Sequence, residues 1–140
     1  MIYQAFEPEG ELVSAIVFPT VLVAEDSRDT RHMLKRAIEL KGYRVLEACN
    51  GREALMLVRE YRPNLMIVDL NMPELDGLET IKKVRLLKGN LEHLPIVAIT
   101  AFDVYGMKEA ALDAGCNEYI SKPFDLDELD KRMRALGFIL

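Results

Sequence analysis

Two kinds of apolar pattern alternate along the chain. Short runs rich in β-branched residues fall at 21–24, 43–48, 65–69, 96–100 and 118–120, and longer stretches with helical spacing lie between them. Strict alternation of this kind predicts a parallel sheet with helices on both faces. Val21-Leu22-Val23-Ala24, Leu65-Met66-Ile67-Val68 and Ile96-Val97-Ala98-Ile99 are apolar at every position, as expected for strands covered on both sides. Tyr43-Arg44-Val45-Leu46-Glu47-Ala48 mixes in charges, which predicts an edge strand.

The helices announce themselves through their ends. Asn50 with Glu53, Asp76 with Glu79, and Asp125 with Glu128 have the spacing of capping boxes, in which side chains satisfy the first free N–H groups. The first helix, 28–41, is expected to bury Met33, Leu34, Ala37 and Ile38 and to stop at Gly42. Met107, Ala110, Ala111 and Ala114 share one face ahead of Gly115, and Leu126, Leu129, Met133 and Leu136 share another ahead of Gly137. Glycine suits the left-handed residue that closes a helix. Five βα units therefore follow one another without a linker. Residues 1–18 fall outside this scheme as an extension carrying no chemistry, whether helix, strand or leader, and their apolar residues 15–18 are available to pack on the domain formed by 19–140.

Composition narrows the class. The chain has 140 residues, 50% hydrophobic and 29% charged, the balance of one globular domain. A chain of this length buries roughly two thirds of its unfolded surface and needs no disulfide or metal staple. Lys and Arg total 18 against 23 Asp and Glu, a net charge of −5, which argues against direct nucleic-acid binding. Cys49 and Cys116 stand too far apart in sequence for a ligand pair or disulfide framework and read as small apolar residues of an intracellular protein. No apolar run approaches the ~18 residues of a membrane span, and positions 1–19 lack the Lys or Arg that opens a secretory signal. The expected location is the cytoplasm, with no membrane partner.

In open parallel sheets, ligands bind at the carboxyl ends of the strands, near the point where strand order reverses. The residues ending the apolar runs are Glu25 and Asp26, Asp69, Thr100 and Lys122. Three carboxylates on one rim repel unless a cation sits among them, and an all-oxygen set selects a hard ion, Mg²⁺ or Mn²⁺. Without metal the cluster should take up a proton more readily than isolated acids. A hydroxyl (Thr100) and an ammonium (Lys122) opposite that cluster supply what a phosphoryl group needs. Asp69 is then placed as a nucleophile forming an acyl phosphate. No GxxxxGK or GxGxxG loop occurs, so nucleotide binding is not indicated.

Glu25-Asp26, then Asp69-Leu70-Asn71-Met72-Pro73-Glu74-Leu75-Asp76-Gly77, then Thr100-Ala101, then Lys122-Pro123-Phe124 resemble, in order and spacing, the receiver domain of bacterial two-component response regulators. The likeness covers about residues 21–136. It implies a flavodoxin-like, doubly wound (βα)5 fold with three layers and a five-stranded parallel sheet in the order 2-1-3-4-5. It implies that Asp69 accepts phosphate from a histidine kinase or histidine phosphotransfer protein. Glu25, Asp26, Asp69 and the Asn71 carbonyl would hold Mg²⁺, and Thr100, Ala101 and Lys122 would contact the phosphoryl group. Tyr119 occupies the aromatic switch position that moves with Thr100, and the Lys122–Pro123 bond would be cis. Pro73 and Gly77 shape the loop, while Met72 and residues 101–105 tune phosphate lifetime. One departure is Glu25 where the family often has Asp, whose longer arm is expected to reach the metal through water.

The output is expected through the face made by the fourth helix, fifth strand and last helix (104–114, 118–120 and 126–136). It would act on a downstream partner or on an output domain outside this chain, the protein being a monomer or a phosphorylation-dependent dimer. Two other functions compete. A phosphorylation-independent interaction module should have lost some site residues, yet every position is filled. A phosphatase with an aspartate nucleophile needs a general acid two residues on, where Asn71 stands. The expectation is therefore a signalling domain that catalyses only its own phosphorylation and dephosphorylation.

Overall fold

The computed structural model describes residues 2–6, 12–16, 18–100 and 106–138, with side chains from residue 18 onward. Strands β1 (Ile2–Phe6) and β2 (Leu12–Ile16) pair as a separate antiparallel sheet, with Ile2 opposite Ile16 and Phe6 opposite Leu12. This resolves the extension as strand rather than helix. Phe18, expected to pack on the domain, keeps half its surface exposed.

The five βα units follow: β3 (Thr20–Ala24), α1 (Arg28–Leu40), β4 (Arg44–Ala48), α2 (Gly51–Tyr61), β5 (Leu65–Asp69), α3 (Gly77–Arg85), β6 (Ile96–Thr100), α4 (Met107–Ala114), β7 (Glu118–Ser121) and α5 (Leu126–Ala135). A 3-10 turn, Leu91–His93, precedes β6. The sheet is parallel with order β4-β3-β5-β6-β7, which is 2-1-3-4-5 counted from β3. The chain reverses direction across the sheet between β3 and β5, the switch point at which a ligand site is expected. No helix among the described residues is long and apolar enough to cross a membrane.

Side chains alternate across each strand, so the central strands feed two cores. Val21, Val23, Leu65, Ile67, Val97 and Ile99 face α1 and α5 through Leu34, Ile38, Leu129 and Met133. Leu22, Ala24, Met66, Val68, Ile96 and Ala98 face the other helices through Ala54, Val58, Ile81, Val84 and Ala111. The expected caps form: Asn50, Asp76 and Asp125 accept from the backbone N–H of Glu53, Glu79 and Glu128 at 2.8, 2.9 and 2.8 Å.

Two positions correct the sequence reading. Met33 is 47% exposed rather than buried, because Leu34 and Ile38 centre the apolar stripe of α1 and Met33 lies about 100° round from it. Leu126 is 44% exposed; it opens α5, and the buried contacts of that helix are made further along, by Leu129 and Met133.

A contact invisible in the sequence ties the lower half of the molecule together. Arg85, at the end of α3, uses all five of its N–H donors. Nε and Nη2 donate to the Gly115 carbonyl at 2.9 and 2.7 Å, and Nη2 also to Asn117 Oδ1 at 3.0 Å. Nη1 donates to the carbonyls of Glu92 and Leu94 at 3.0 and 2.7 Å. Burial lowers the pKa of this guanidinium below its usual value, yet it keeps its charge, because an arginine starts so high. It closes the C-terminal turn of α4 and the entry to β6 in one step.

The thiols separate cleanly. Cys49 is exposed and Cys116 buried, and burial pushes the Cys116 thiol up to about 11 from its ordinary 9.0. Cys49 is expected to react with a disulfide reagent at pH 8 in the folded protein, and Cys116 only after denaturation. The folded thiol keeps a proton that the unfolded chain releases, so this residue's contribution to stability should decline from about pH 9 toward 11. Thiol counting and urea midpoints at graded pH would check both.

Candidate functional site

The site is built where four strands end on the same rim. Beyond Ala24 the Glu25 N–H still pairs with the Ala48 carbonyl at 3.0 Å, so Glu25 extends the ladder by one residue and Asp26 begins the turn. Ser27 caps α1 by accepting from Thr30 N–H at 3.4 Å. Asp69 closes β5, and the next N–H, that of Leu70, bonds to the Ile99 carbonyl at 2.8 Å. Thr100 closes β6 and is fully buried. Lys122 follows β7, its N–H on the Thr100 carbonyl at 2.8 Å, and its bond to Pro123 is cis.

These ends bring the expected acids together. Glu25, Asp26 and Asp69 each offer a carboxylate oxygen within 4.8 Å of the other two. Glu25 and Asp69 are buried while Asp26 is exposed, so the cluster opens to solvent on one side. Lys122 Nζ lies 2.7 Å from Glu25 Oε1 and 3.5 Å from Asp69 Oδ2. Asn71 N–H donates to Asp69 Oδ1 at 2.9 Å, which fixes one lobe of that carboxylate and leaves the other toward Lys122.

Burial raises the Glu25 pKa above the ordinary glutamate range, and the neighbouring Asp69 adds to it, against the pull of Lys122. Burial is the larger cause, and the neighbouring carboxylate reinforces it. For Lys122 burial works downward, but its hydrogen bond to Glu25 and the charges of Asp69 and Glu25 prevail and lift its pKa. The lysine therefore stays charged and serves as the cluster's own counter-ion. The donor set, three carboxylates with no imidazole or thiolate, fits a hard divalent cation.

The remaining expected residues are placed unevenly. Asn71 sits in the exposed loop after β5, two residues beyond Asp69, and Met72 is buried next to it. Ala101 and residues 102–105 lie outside the described residues. Tyr119 pairs with Ala98 in the β6–β7 ladder, two positions before the Thr100–Ser121 pair. Its ring is buried and its hydroxyl has no hydrogen-bond partner among the described residues. It lines an open cavity of about 680 Å³ with Lys108, Leu112, Phe124 and Arg132, on the face made by α4, β7 and α5.

One residue at the rim escaped the sequence reading. Arg31, one turn into α1, donates from Nη1 to the Glu25 carbonyl at 2.9 Å and from Nε to Glu47 Oε1 at 3.2 Å. A cation on the polar side of an amphipathic helix gives no sign in the sequence that it turns back on a strand end.

Known proteins resemble this chain in sequence and in fold. The family model of the response regulator receiver domain matches residues 21–134. The response regulator MprA of Mycolicibacterium vanbaalenii is 44% identical over 116 residues, which is 83% of this chain and 49% of MprA. This chain thus spans about half the length of the MprA proteins it matches. The Francisella response regulator 1452 receiver domain superposes with a TM-score of 0.76 at 34% identity, covering 84% of this chain and 95% of that one. The receiver domain of a sensor histidine kinase from Pseudomonas aeruginosa PAO1 superposes with a TM-score of 0.79 at 29% identity, covering 87% and 100%. That structure is described with a magnesium ion coordinated in its active site cleft. With the sheet order, the rim of acids and a family match across all five βα units, the chain belongs to the response regulator receiver domain family.

Proposed function

We propose that this chain is the phosphoacceptor of a two-component system. It takes a phosphoryl group from the phosphohistidine of a histidine kinase or phosphotransfer protein onto Asp69 and converts that event into a change of its α4–β7–α5 face. Residues 19–140 form the receiver unit in this reading, and 1–18 are an extension to it. The observation that carries the proposal is the convergence of Glu25, Asp26 and Asp69 with the Lys122 ammonium at the switch point of the sheet.

Each residue has a distinct task. An Asp69 oxygen attacks phosphorus as the bond to the histidine nitrogen breaks, and an acyl phosphate results. The Asn71 N–H holds the other oxygen of Asp69, so the attacking one faces the rim. Glu25, Asp26, Asp69 and the Asn71 carbonyl would hold Mg²⁺, which when bound offsets negative charge on the transferring group. Lys122 stands close enough to leave Glu25 for a phosphoryl oxygen, and Thr100 and Ala101 take the others. The magnesium in the Pseudomonas relative's cleft supports the choice of ion.

The switch is a population shift between two arrangements of Thr100 and Tyr119. Among the described residues the buried Tyr119 hydroxyl has no partner, which carries a desolvation cost that a ring position offering it one would relieve. Incubation with Mg²⁺ and acetyl phosphate is expected to add one phosphoryl group to the intact mass, and chelation by EDTA to abolish the gain. A chain that binds Mg²⁺ but gains no phosphoryl group from either acetyl phosphate or a phosphorylated histidine phosphotransfer domain would overturn the proposal.

A further inference from the structure

We infer that Arg31 is a positioning residue for the cation site, acting on the backbone that carries its exposed ligand. The inference rests on the reading of the acidic cluster as a Mg²⁺ site. Of the three carboxylates, two are held by the protein. Glu25 is held by Lys122 at 2.7 Å, and Asp69 by the Asn71 N–H at 2.9 Å. Asp26 is exposed, and among the described residues no hydrogen bond or ion pair restrains its carboxylate. Its direction is therefore set by its own backbone.

The Glu25 N–H on one side of the turn is paired with the Ala48 carbonyl at 3.0 Å, and among the described residues the peptide on the other side is held by Arg31. The peptide joining Glu25 to Asp26 presents the Glu25 carbonyl, and Arg31 Nη1 donates to it at 2.9 Å. Fixing the carbonyl fixes the peptide plane, and with it the position from which the Asp26 side chain departs. Arg31 is itself held in place. Its Nε sits 3.2 Å from Glu47 Oε1 on β4, and Lys35 Nζ lies 3.3 Å from the other oxygen of the same carboxylate. Glu47 pairs with Val23 in the β3–β4 ladder, so the chain of contacts runs from the edge of the sheet to the turn at its rim. Groups that orient metal ligands without touching the metal commonly change affinity by about 10- to 100-fold when removed.

The sign of the effect separates positioning from simple charge. A guanidinium beside a cation site repels Mg²⁺, so a residue acting only through its charge would be an obstacle. Its replacement by Met would then tighten binding, and replacement by Lys would leave binding unchanged. Positioning predicts the opposite: both Arg31→Lys and Arg31→Met bind Mg²⁺ about 10-fold more weakly, since neither can bridge the Glu25 carbonyl and Glu47 together. Glu47→Gln, which loosens the anchor while sparing the arginine, is expected to weaken binding by a smaller factor.

Calorimetric titration of the metal-free protein with MgCl₂ would measure these affinities, alongside thermal unfolding in EDTA. Weaker binding in both Arg31 variants with unfolding temperatures in EDTA close to wild type supports the inference. Unchanged or tighter binding in Arg31→Met overturns it, as does a lower unfolding temperature in EDTA with unchanged Mg²⁺ affinity. Failure of the unaltered protein itself to bind Mg²⁺ would overturn the cation site and this inference together.

Discussion

Asp69→Asn is expected to abolish the gain of a phosphoryl group from acetyl phosphate while leaving the fold intact. The substitution keeps size and shape, and the asparagine oxygen can still accept the Asn71 N–H that Asp69 accepts at 2.9 Å. What disappears is the nucleophile, because an amide has no anionic oxygen to attack phosphorus. One ligand charge of the cluster goes with it, so Mg²⁺ affinity should fall as well. Stability should move the other way. Asp69 and Glu25 are buried like charges, and Asp69 is among the causes of the raised Glu25 pKa. Neutralising one relieves the other, and functional sites commonly trade stability for such crowding. Intact mass and urea unfolding of the variant would measure both effects. A variant that still gains the phosphoryl group would move the acceptor away from Asp69.

Gly77→Ala is expected to cost about 3 kcal/mol and to slow phosphoryl acceptance, although the residue has no chemistry of its own. A methyl group there would stand 2.5 Å from the Asp69 carbonyl oxygen and 2.5 Å from Leu70 Cα. Both are backbone atoms at the end of the strand that carries Asp69, so neither can swing aside. The Gly77 N–H is meanwhile committed to the Leu70 carbonyl at 3.2 Å, which draws α3 toward the strand end. Relief requires pushing the first turn of α3 away or displacing Asp69 itself. Alanine's better helix propensity returns only about 1 kcal/mol. Gly106→Ala makes the control: among the described residues nothing lies within 4 Å of a methyl there, and its φ of +80° opposes the change by about 1–2 kcal/mol. Urea midpoints of the two variants, with the acetyl phosphate rate of Gly77→Ala, would test the contrast. Equal losses at both positions would show that the close approach is relieved without cost.

The parts of the fold legible in the sequence are those governed by local rules or by burial on both faces. Residues 65–68 and 96–99 are apolar without interruption because helices cover both sides of β5 and β6, and the charges in 44–48 mark β4 as an edge. Caps at Asn50, Asp76 and Asp125 act over three residues, so spacing alone reveals them. The acids converge because parallel strands all deliver their carboxyl ends to one rim. Arg85 and Arg31 were hidden for the converse reason. Each is a long cation on a helix whose partners, at Gly115 and Leu94 or at Glu25 and Glu47, come from other elements. The pairing of 2–6 with 12–16 is not legible, because an apolar segment of that length suits strand and helix alike.

The rim has a consequence for how the cell reads this protein. Its charged groups arrive from β3, β5 and β7, and the pair in closest contact, Glu25 and Lys122, is separated by 97 positions of chain. No single βα unit contains both. The site is thus absent from the newly made chain until the last strand has joined the sheet, and a cut between those two residues followed by loss of either piece removes it. Under the proposed function, a kinase that recognises the assembled rim would pass phosphate only to copies in which β3 and β7 have both joined the sheet.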